Sequence, residues 1–440
     1  MRYLTAAMAA AGLLAGSAHA ATISVPGDYP TIQEAVDAAV DGDTVLVKHG
    51  TYTGSGDASI PVVDMKGKAI ELVGEPKRAG KVYIDGQNQR PCLVCASGEN
   101  ADTVIDLVEC INGLAEKGGA LYCLGSPTIT NCAFRDSSGT VSGGGVYIEG
   151  GSPSMTDCEV TGNSSPFGGG FYLIDSNATM TGGLIGANSA SNRGGGLRIY
   201  RSSPELTNVT IQGNWAVRGG AAHTQEDSVP VFDGCLISDN MADSLGGGLA
   251  ASYNSPAVYR GCTFTGNEAT GNNGGQGSGG AIYSDSSPVV VENCLIEGNT
   301  ADTYGGGIYC WYSSPVVTGT TIRDNTATAL GAGIRTIGGS GPSLDNDILC
   351  GNLPDNIGGS WDDAGDNCIV ETCTDVNDND IPDDCEDFCD GDTNGDGVVD
   401  IADILAILDD WGGSDADMTG DGAVNIDDLL VVIGNWGQCA

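Results

Sequence analysis

The sequence is poor in the side chains that move protons near neutral pH and in those that grip phosphate. Only 3 of its 440 residues are His, and Lys plus Arg number 17 against 58 Asp plus Glu, a net charge of -41. Such a balance repels phosphate backbones and anionic lipid, so nucleic acid and membrane surfaces are excluded as partners. No stretch after the first residues holds 18 consecutive apolar positions, so the mature chain is expected to lack a membrane span. Aromatic residues are few as well, at 6%. Glycine is abundant, with 70 residues, but without a three-residue period, which excludes collagen and favours a turn-rich β architecture. A hydrophobic share of 40% is enough to build cores.

The first 20 residues pair Arg2 with an apolar run from Ala6 to Ala15 and end on Ala18-His19-Ala20, the pattern of a secretory signal peptide. Residues 1–20 are therefore expected to be removed and the protein secreted, extracellular or held at the cell surface. Its 16 cysteines would then lie where disulfides persist.

Aligned on itself, the chain repeats a unit close to SP-x-V-x-N-C-x-I-x-x-N-x-A, followed by GGG-I-Y. Clear copies begin at Ser126, Ser152, Ser287 and Ser314. Asn163, Asn188, Asn214, Asn240, Asn267, Asn299, Asn325 and Asn352 recur at gaps of 25, 26, 26, 27, 32, 26 and 27 residues. Inside each unit apolar and polar residues alternate over short runs, which argues strand. One such coil cannot bury its apolar face, but stacked coils bury a continuous interior. The fold expected is all-β: a parallel β-helix solenoid over residues 21–360, with repeats from about 100 to 360. The asparagines should stack their amides from coil to coil. Cys132, Cys158, Cys235, Cys262 and Cys294 fall in one interior column, either bridged between coils or kept as a ladder of free thiols.

Before the repeats, Thr31 and Glu34 form a capping box, and Ile32, Ala35, Val36 and Ala39 make an apolar stripe at helical spacing. A short helix within residues 28–40 is expected to plug the open first coil. The segment VPGDYPTIQEAVDAAVDGDTVLV, with repeats such as GGAIY at 279–283 and FTGN at 264–267, resembles secreted bacterial right-handed parallel β-helix proteins of the pectin-lyase-like superfamily. The repeats are also similar to those of chlamydial polymorphic outer-membrane proteins. The resemblance covers roughly residues 22–360 and implies a right-handed solenoid. His49 departs from it, standing where a Pro is usual in a PGTY turn.

From Glu371 onward the chain holds 20 acidic residues and no Lys or Arg. Such density repels itself unless cations neutralise it. In residues 392–403, Asp392, Asn394, Asp396, Asp400 and Asp403 fall at positions 1, 3, 5, 9 and 12 of a calcium loop, with Gly397 at the turn and the Val398 carbonyl at position 7. In residues 417–428 the same places are taken by Asp417, Thr419, Asp421, Asn425 and Asp428, with Gly422 and Ala423. Each loop runs into an apolar helix ending in Trp-Gly. The pair resembles type I dockerin repeats, which implies a small α-helical EF-hand-pair module over residues 389–440, with Ca2+ as its cofactor and an unidentified dockerin-binding or cell-surface protein as its partner. Ile401-Ala402 and Ile426-Asp427 replace the Ser-Thr pair usual for cellulosomal recognition. Residues 361–388 read as an acidic linker containing cysteine. Within it Asp375, Asn377, Asn379 and Asp383 are similar to a thrombospondin type 3 calcium segment, or belong to a plain linker. Cys389 and Cys439 bracket the module and are expected to be bonded.

On the solenoid, the residue after each Gly-flanked apolar position points outward. That column reads Tyr122, Tyr147, Tyr172, Arg198, His223, Ala250, Tyr283, Tyr309 and Arg335, and a second column two residues on contains Tyr200 and Trp311. Rings and guanidinium groups at coil spacing form a surface for sugar rings and uronate carboxylates. Equally, tyrosines are common on strands and stack on one another. Arg193, Arg198, Arg201 and Arg218 gather beside His223, so an extracellular polysaccharide, neutral or acidic, is the expected ligand, and this patch favours an acidic one. A lyase would need grouped carboxylates and a nearby base. Arg198, Arg218, His223, Glu226 and Asp227 are the only candidates for catalysis, and no catalytic set is evident. Three readings stay open: a glycan- or surface-binding protein anchored by its calcium module, a polysaccharide-degrading enzyme acting by β-elimination on uronates, and an adhesin or surface-layer component.

Overall fold

The structure, a computed structural model, describes residues 20–76, 80–365, 367–374, 382, 398–399, 401–409, 411, 424–434 and 437–438. The chain divides into two units, Met1–Glu371 and Thr372–Ala440.

The first unit is a parallel β-solenoid with four sheets of 14, 13, 12 and 9 strands among its described residues. One coil illustrates the path. Leu121–Cys123 lies in the 12-stranded sheet, Thr128–Thr130 in the 14-stranded, Ala133–Arg135 in the 13-stranded and Ser138–Ser142 in the 9-stranded, after which Val146–Glu149 begins the next coil beside the first strand. The return from the 9-stranded to the 12-stranded sheet is made by the glycine clusters. Gly143, Gly168, Gly194, Gly219, Gly246, Gly279, Gly305 and Gly331 have φ between 62° and 72°. At Gly168 a Cβ would lie 2.1 Å from the Phe171 carbonyl oxygen, so the sharp turn admits no side chain.

Alternation places every second strand residue in the interior, where copies stack as columns. Asn214 shows how the asparagine column closes its hydrogen bonds. Its Oδ1 accepts from the Asn188 backbone N–H and Nδ2, each at 3.0 Å, and its Nδ2 donates to the Ile185 carbonyl and to Asn240 Oδ1, each at 2.9 Å. All eight asparagines are buried, so each amide is a satisfied structural group rather than a ligand donor. In the thiol column, Cys132, Cys158, Cys235, Cys262 and Cys294 are buried and free, which decides for the ladder over bridges. The column passes through Gly183 and Val209 and continues as Thr320, Asp347 and Asn367: the Cys294 N–H donates to Thr320 Oγ1, the Thr320 N–H to Asp347 Oδ1 and the Asp347 N–H to Asn367 Oδ1. Burial pushes the Asp347 carboxyl up to about 6. Cys350 and Cys368, in the two coils beside Asp347, and Cys373 are disulfide-bonded.

The capping helix is Ile32–Ala38, shorter than residues 28–40; Thr31 Oγ1 accepts from the Glu34 N–H, and Ile32, Ala35 and Val36 are buried. Thr22–Val25 precedes the helix and pairs with Thr44–Val47, so winding begins before the cap. Winding also continues past residue 360. Asp362–Gly365 and Cys368–Ile369 pair with the preceding coil, so residues 361–371 belong to the solenoid rather than to a linker.

Among its described residues the second unit holds two nine-residue helices, Ile401–Asp409 and Ile426–Gly434, and a short antiparallel pair of Val398–Val399 with Gly437–Gln438. Val399, Ile407, Val424 and Val432 form its buried cluster. These two short helices do not by themselves establish an EF-hand pair. Among the described residues no helix is long and apolar enough to cross a membrane.

Candidate functional site

Strand register brings the expected outward column together residue for residue. Tyr122, Tyr147, Tyr172, Arg198, His223, Ala250, Tyr283, Tyr309 and Arg335 are successive partners along the 12-stranded sheet. It differs from expectation in exposure. Arg198, His223, Tyr147 and Tyr309 are between 1% and 3% exposed, so they form the floor of a groove and not an open platform. The cause is the glycine turn, which folds the ends of the 9-stranded sheet over the next coil's outward side chain. Those ends run Lys117, Ser142, Phe167, Arg193, Arg218 and Leu245 in register. Lys117 sits 4.6 Å from the Tyr147 ring centroid, and Tyr122, Tyr147 and Tyr172 stack at 5.6 and 5.4 Å. Tyr147 donates to Glu149 at 2.9 Å, and burial pushes its hydroxyl up to about 12.

In the middle of the groove the rings give way to cations. Arg198 donates through Nη2 to Gln225 Oε1, and through Nη1 to His223 Nδ1 and, at 3.3 Å, to the His223 carbonyl. Arg193 Nη1 donates to the same Gln225 oxygen at 3.2 Å, while its Nε is buried without a partner. Arg218 is the register partner of Arg193 and is exposed. Among the described residues the ion pairs within 4.0 Å involve none of Arg193, Arg198 and Arg218. Burial lowers Arg198 to about 10. Burial first, and then the charges of Arg198, Arg193 and Arg218, hold His223 well below its ordinary range, so the imidazole is neutral.

Beyond the cations the column drops to Ala250, and a pocket of about 290 Å³ lies along this stretch of the groove. Tyr283, Tyr309 and Trp311 form one side of it, with the first two stacked at 5.6 Å, and Arg218 and Asp285 supply its charges. Gly274, Gly275 and Gln276 wall it from above. These three belong to extra residues in the coil between Asn267 and Asn299, whose 32-residue spacing exceeds all the others. In repeat proteins such insertions gather on one face, often the binding face.

Other expected residues are placed differently. Arg201 is paired with Asp175 at 2.7 Å and lies over Tyr200, so its charge is already neutralised. Arg335 lies over the Tyr304 ring and donates to the Gly358 carbonyl. Glu226 and Asp227 sit in the turn after Gln225 with φ of 62° and 57°, Asp227 accepting from Asn254 at 2.7 Å. Neither joins other carboxylates, and among the described residues no group of three His, Cys, Asp or Glu is placed to hold a metal. Sequence reading missed Gln225, Asp285, Tyr304 and the insertion; the odd spacing was the one signal that pointed to it. In the second unit Asp403 is buried and Asn425 half-buried. Asp392, Asn394, Asp396, Asp400, Asp417, Thr419, Asp421 and Ala423, the side chains of Val398 and Asp428, the segment of Asp375, Asn377, Asn379 and Asp383, and Cys389 and Cys439 lie outside the described residues.

Among known proteins, the family model described as right handed beta helix region matches residues 88–223, 145–316 and 195–375, together more than half of the chain. No curated protein matches it. Of the solved structures, the A-module of the mannuronan C-5 epimerase AlgE6 of Azotobacter vinelandii is 14% identical at a TM-score of 0.49, with 77% of this chain and 91% of that chain covered. Pectate lyase Pel9A is 12% identical at a TM-score of 0.37, with 66% of this chain and 76% of that chain covered.

Proposed function

The chain belongs to the right handed beta helix region family, and from that premise we propose that it is a secreted protein whose solenoid groove binds an extracellular glycan laid along the solenoid axis, and whose residues 389–440 anchor it through a calcium-dependent, dockerin-like module. The observation that carries the reading is the groove pocket in which Trp311 lies with Tyr283 and Tyr309, with Arg218 and Asp285 at hand. Apolar walls with a few convergent polar groups are what a sugar site requires. The coils stack roughly 4.8 Å apart, so a linear chain along the axis meets a new floor residue at each step.

Anchoring is supported by the second unit's surface. Ile401, Leu405 and Leu408 in one helix and Ile426, Leu430 and Ile433 in the other, at the same spacing, are 51% to 61% exposed. Duplicated apolar stripes of this kind suit a protein partner. The ligands Asp392, Asn394, Asp396, Asp400 and Asp403, and Asp417, Thr419, Asp421, Asn425 and Asp428, with the Val398 and Ala423 carbonyls, would hold two Ca2+ ions and offset the local negative charge.

A panel of neutral and acidic oligosaccharides titrated calorimetrically tests the groove, and Trp311→Ala should cost about tenfold in affinity for the best ligand. Ligands that bind the variant as tightly as the parent refute the placement. Chelation of Ca2+ should melt residues 389–440 and leave the solenoid's transition unchanged; a melting curve insensitive to chelator refutes the module.

A further inference from the structure

Gln225 occupies the place where charge arithmetic calls for a carboxylate. Its Oε1 accepts from both Arg193 and Arg198, two guanidinium groups converging on one neutral oxygen. Arg218 stands one coil further along the wall without an ion-pair or hydrogen-bond partner among the described residues. His223 beneath them is neutral and adds no negative charge. Elsewhere the same solenoid pairs Arg135 with Glu159, Arg201 with Asp175, Arg260 with Glu292 and Arg323 with Glu297, and satisfies Arg90 and Arg335 through backbone carbonyls. In a chain with 58 acidic residues to 17 basic, gathering three arginines without an ion pair at one groove needs a physical reason. Buried or half-buried cations carry a desolvation cost that only a counter-charge offsets.

We infer that Arg193 and Arg218, with Arg198 behind Arg193 on the shared Gln225 oxygen, form an anion site in the groove that takes a carboxylate or sulfate ester carried on a glycan, with guanidinium groups rather than a metal ion supplying the positive charge. The inference deepens the groove reading and rests on it for the glycan. The anion site itself rests on the arginines alone. Arg193 and Arg218 are register neighbours, so their guanidinium groups can grip one anionic group from two sides, the geometry in which arginine is strongest. Arg218 also lines the pocket that holds Trp311. A ligand with one charged unit over Arg193 and Arg218 and a ring over Trp311 satisfies both.

Gln225→Glu tests this by placing a carboxylate inside the protein, on the two arginines. The variant should melt higher than the parent, lose about tenfold in affinity for a uronate or a sulfated oligosaccharide, and bind a neutral oligosaccharide of equal length unchanged. Whichever of the two acidic ligands binds the parent more tightly identifies the ester or the carboxylate as the natural group. Arg193→Met, at a half-exposed wall position, should reproduce the loss without raising the melting temperature. Inorganic sulfate gives a reading independent of any sugar: it should raise the parent's melting temperature and leave that of Gln225→Glu unmoved. Acidic ligands and sulfate that act on Gln225→Glu as on the parent overturn the anion site even if neutral glycans bind. Conversely, a sulfate effect confined to the parent, with no glycan bound at all, keeps the anion site and overturns the groove's sugar assignment.

Discussion

The interior asparagine column and the outward column over the 12-stranded sheet are built by the same repeat, wind with the same register, and lie within one coil's width of each other. They differ in regularity. From Asn163 to Asn352 every coil supplies the same amide, and each amide's donors and acceptors are met by its neighbours. The outward column changes from Tyr to Arg to His to Ala and back to Tyr, and its arginines are left short of negative charge. In a stacked protein a uniform column is what holds the coils together; a column that breaks its own pattern is where selection has worked for something other than stacking.

That contrast sets the order of the expected effects. Asn214→Leu should be the most damaging, because it strands the Asn188 N–H and Nδ2 and the Ile185 carbonyl in the interior; a loss of about 3 kcal/mol or more in chemical denaturation is expected. A cost under 1 kcal/mol would show that the column is not what binds the coils. Arg198→Met should go the other way. It removes a desolvated cation that no ion pair among the described residues offsets, and a gain of about 1 kcal/mol is expected; a marked loss would mean that Arg198 is a structural member after all.

Most of this was legible before any coordinates. The column from Tyr122 to Arg335 followed from two periods, two residues within a strand and about 26 between coils, and both are set by local chemistry: Ser-Pro and glycine turns, and alternating apolar positions. The asparagine column was legible for the same reason. What could not be read was how far the strand ends carrying Lys117, Arg193 and Arg218 fold over the floor, because that depends on side chains a coil away. Gln225 and Asp285 gave no signal, since a polar residue on an outward strand position is ordinary. The thiol column's redox state was equally open, for its spacing suits a bridge and a ladder alike, and the calcium loops were read from spacing that the described residues do not reach.

A smaller effect separates the interior's end from its middle. Asp347 follows the thiol column near the solenoid's last coil, and burial raises its carboxyl from 3.8 to about 6. Between those values the folded state binds more protons than the unfolded one, so stability should fall as pH rises through roughly 4 to 6. This contribution is fully favourable only at the acid end. Asp347→Asn should flatten that segment of a stability-versus-pH curve relative to the parent; an unchanged slope would assign it to other carboxylates.

Diffraction from crystals grown with a uronate oligosaccharide tests the groove most directly. The account predicts a carboxylate within hydrogen-bond distance of Arg193 and Arg218 and a sugar ring against Trp311, with the chain running along the solenoid axis. A sugar bound instead on the outer face of the 13- or 14-stranded sheet, with the arginines untouched, would contradict it.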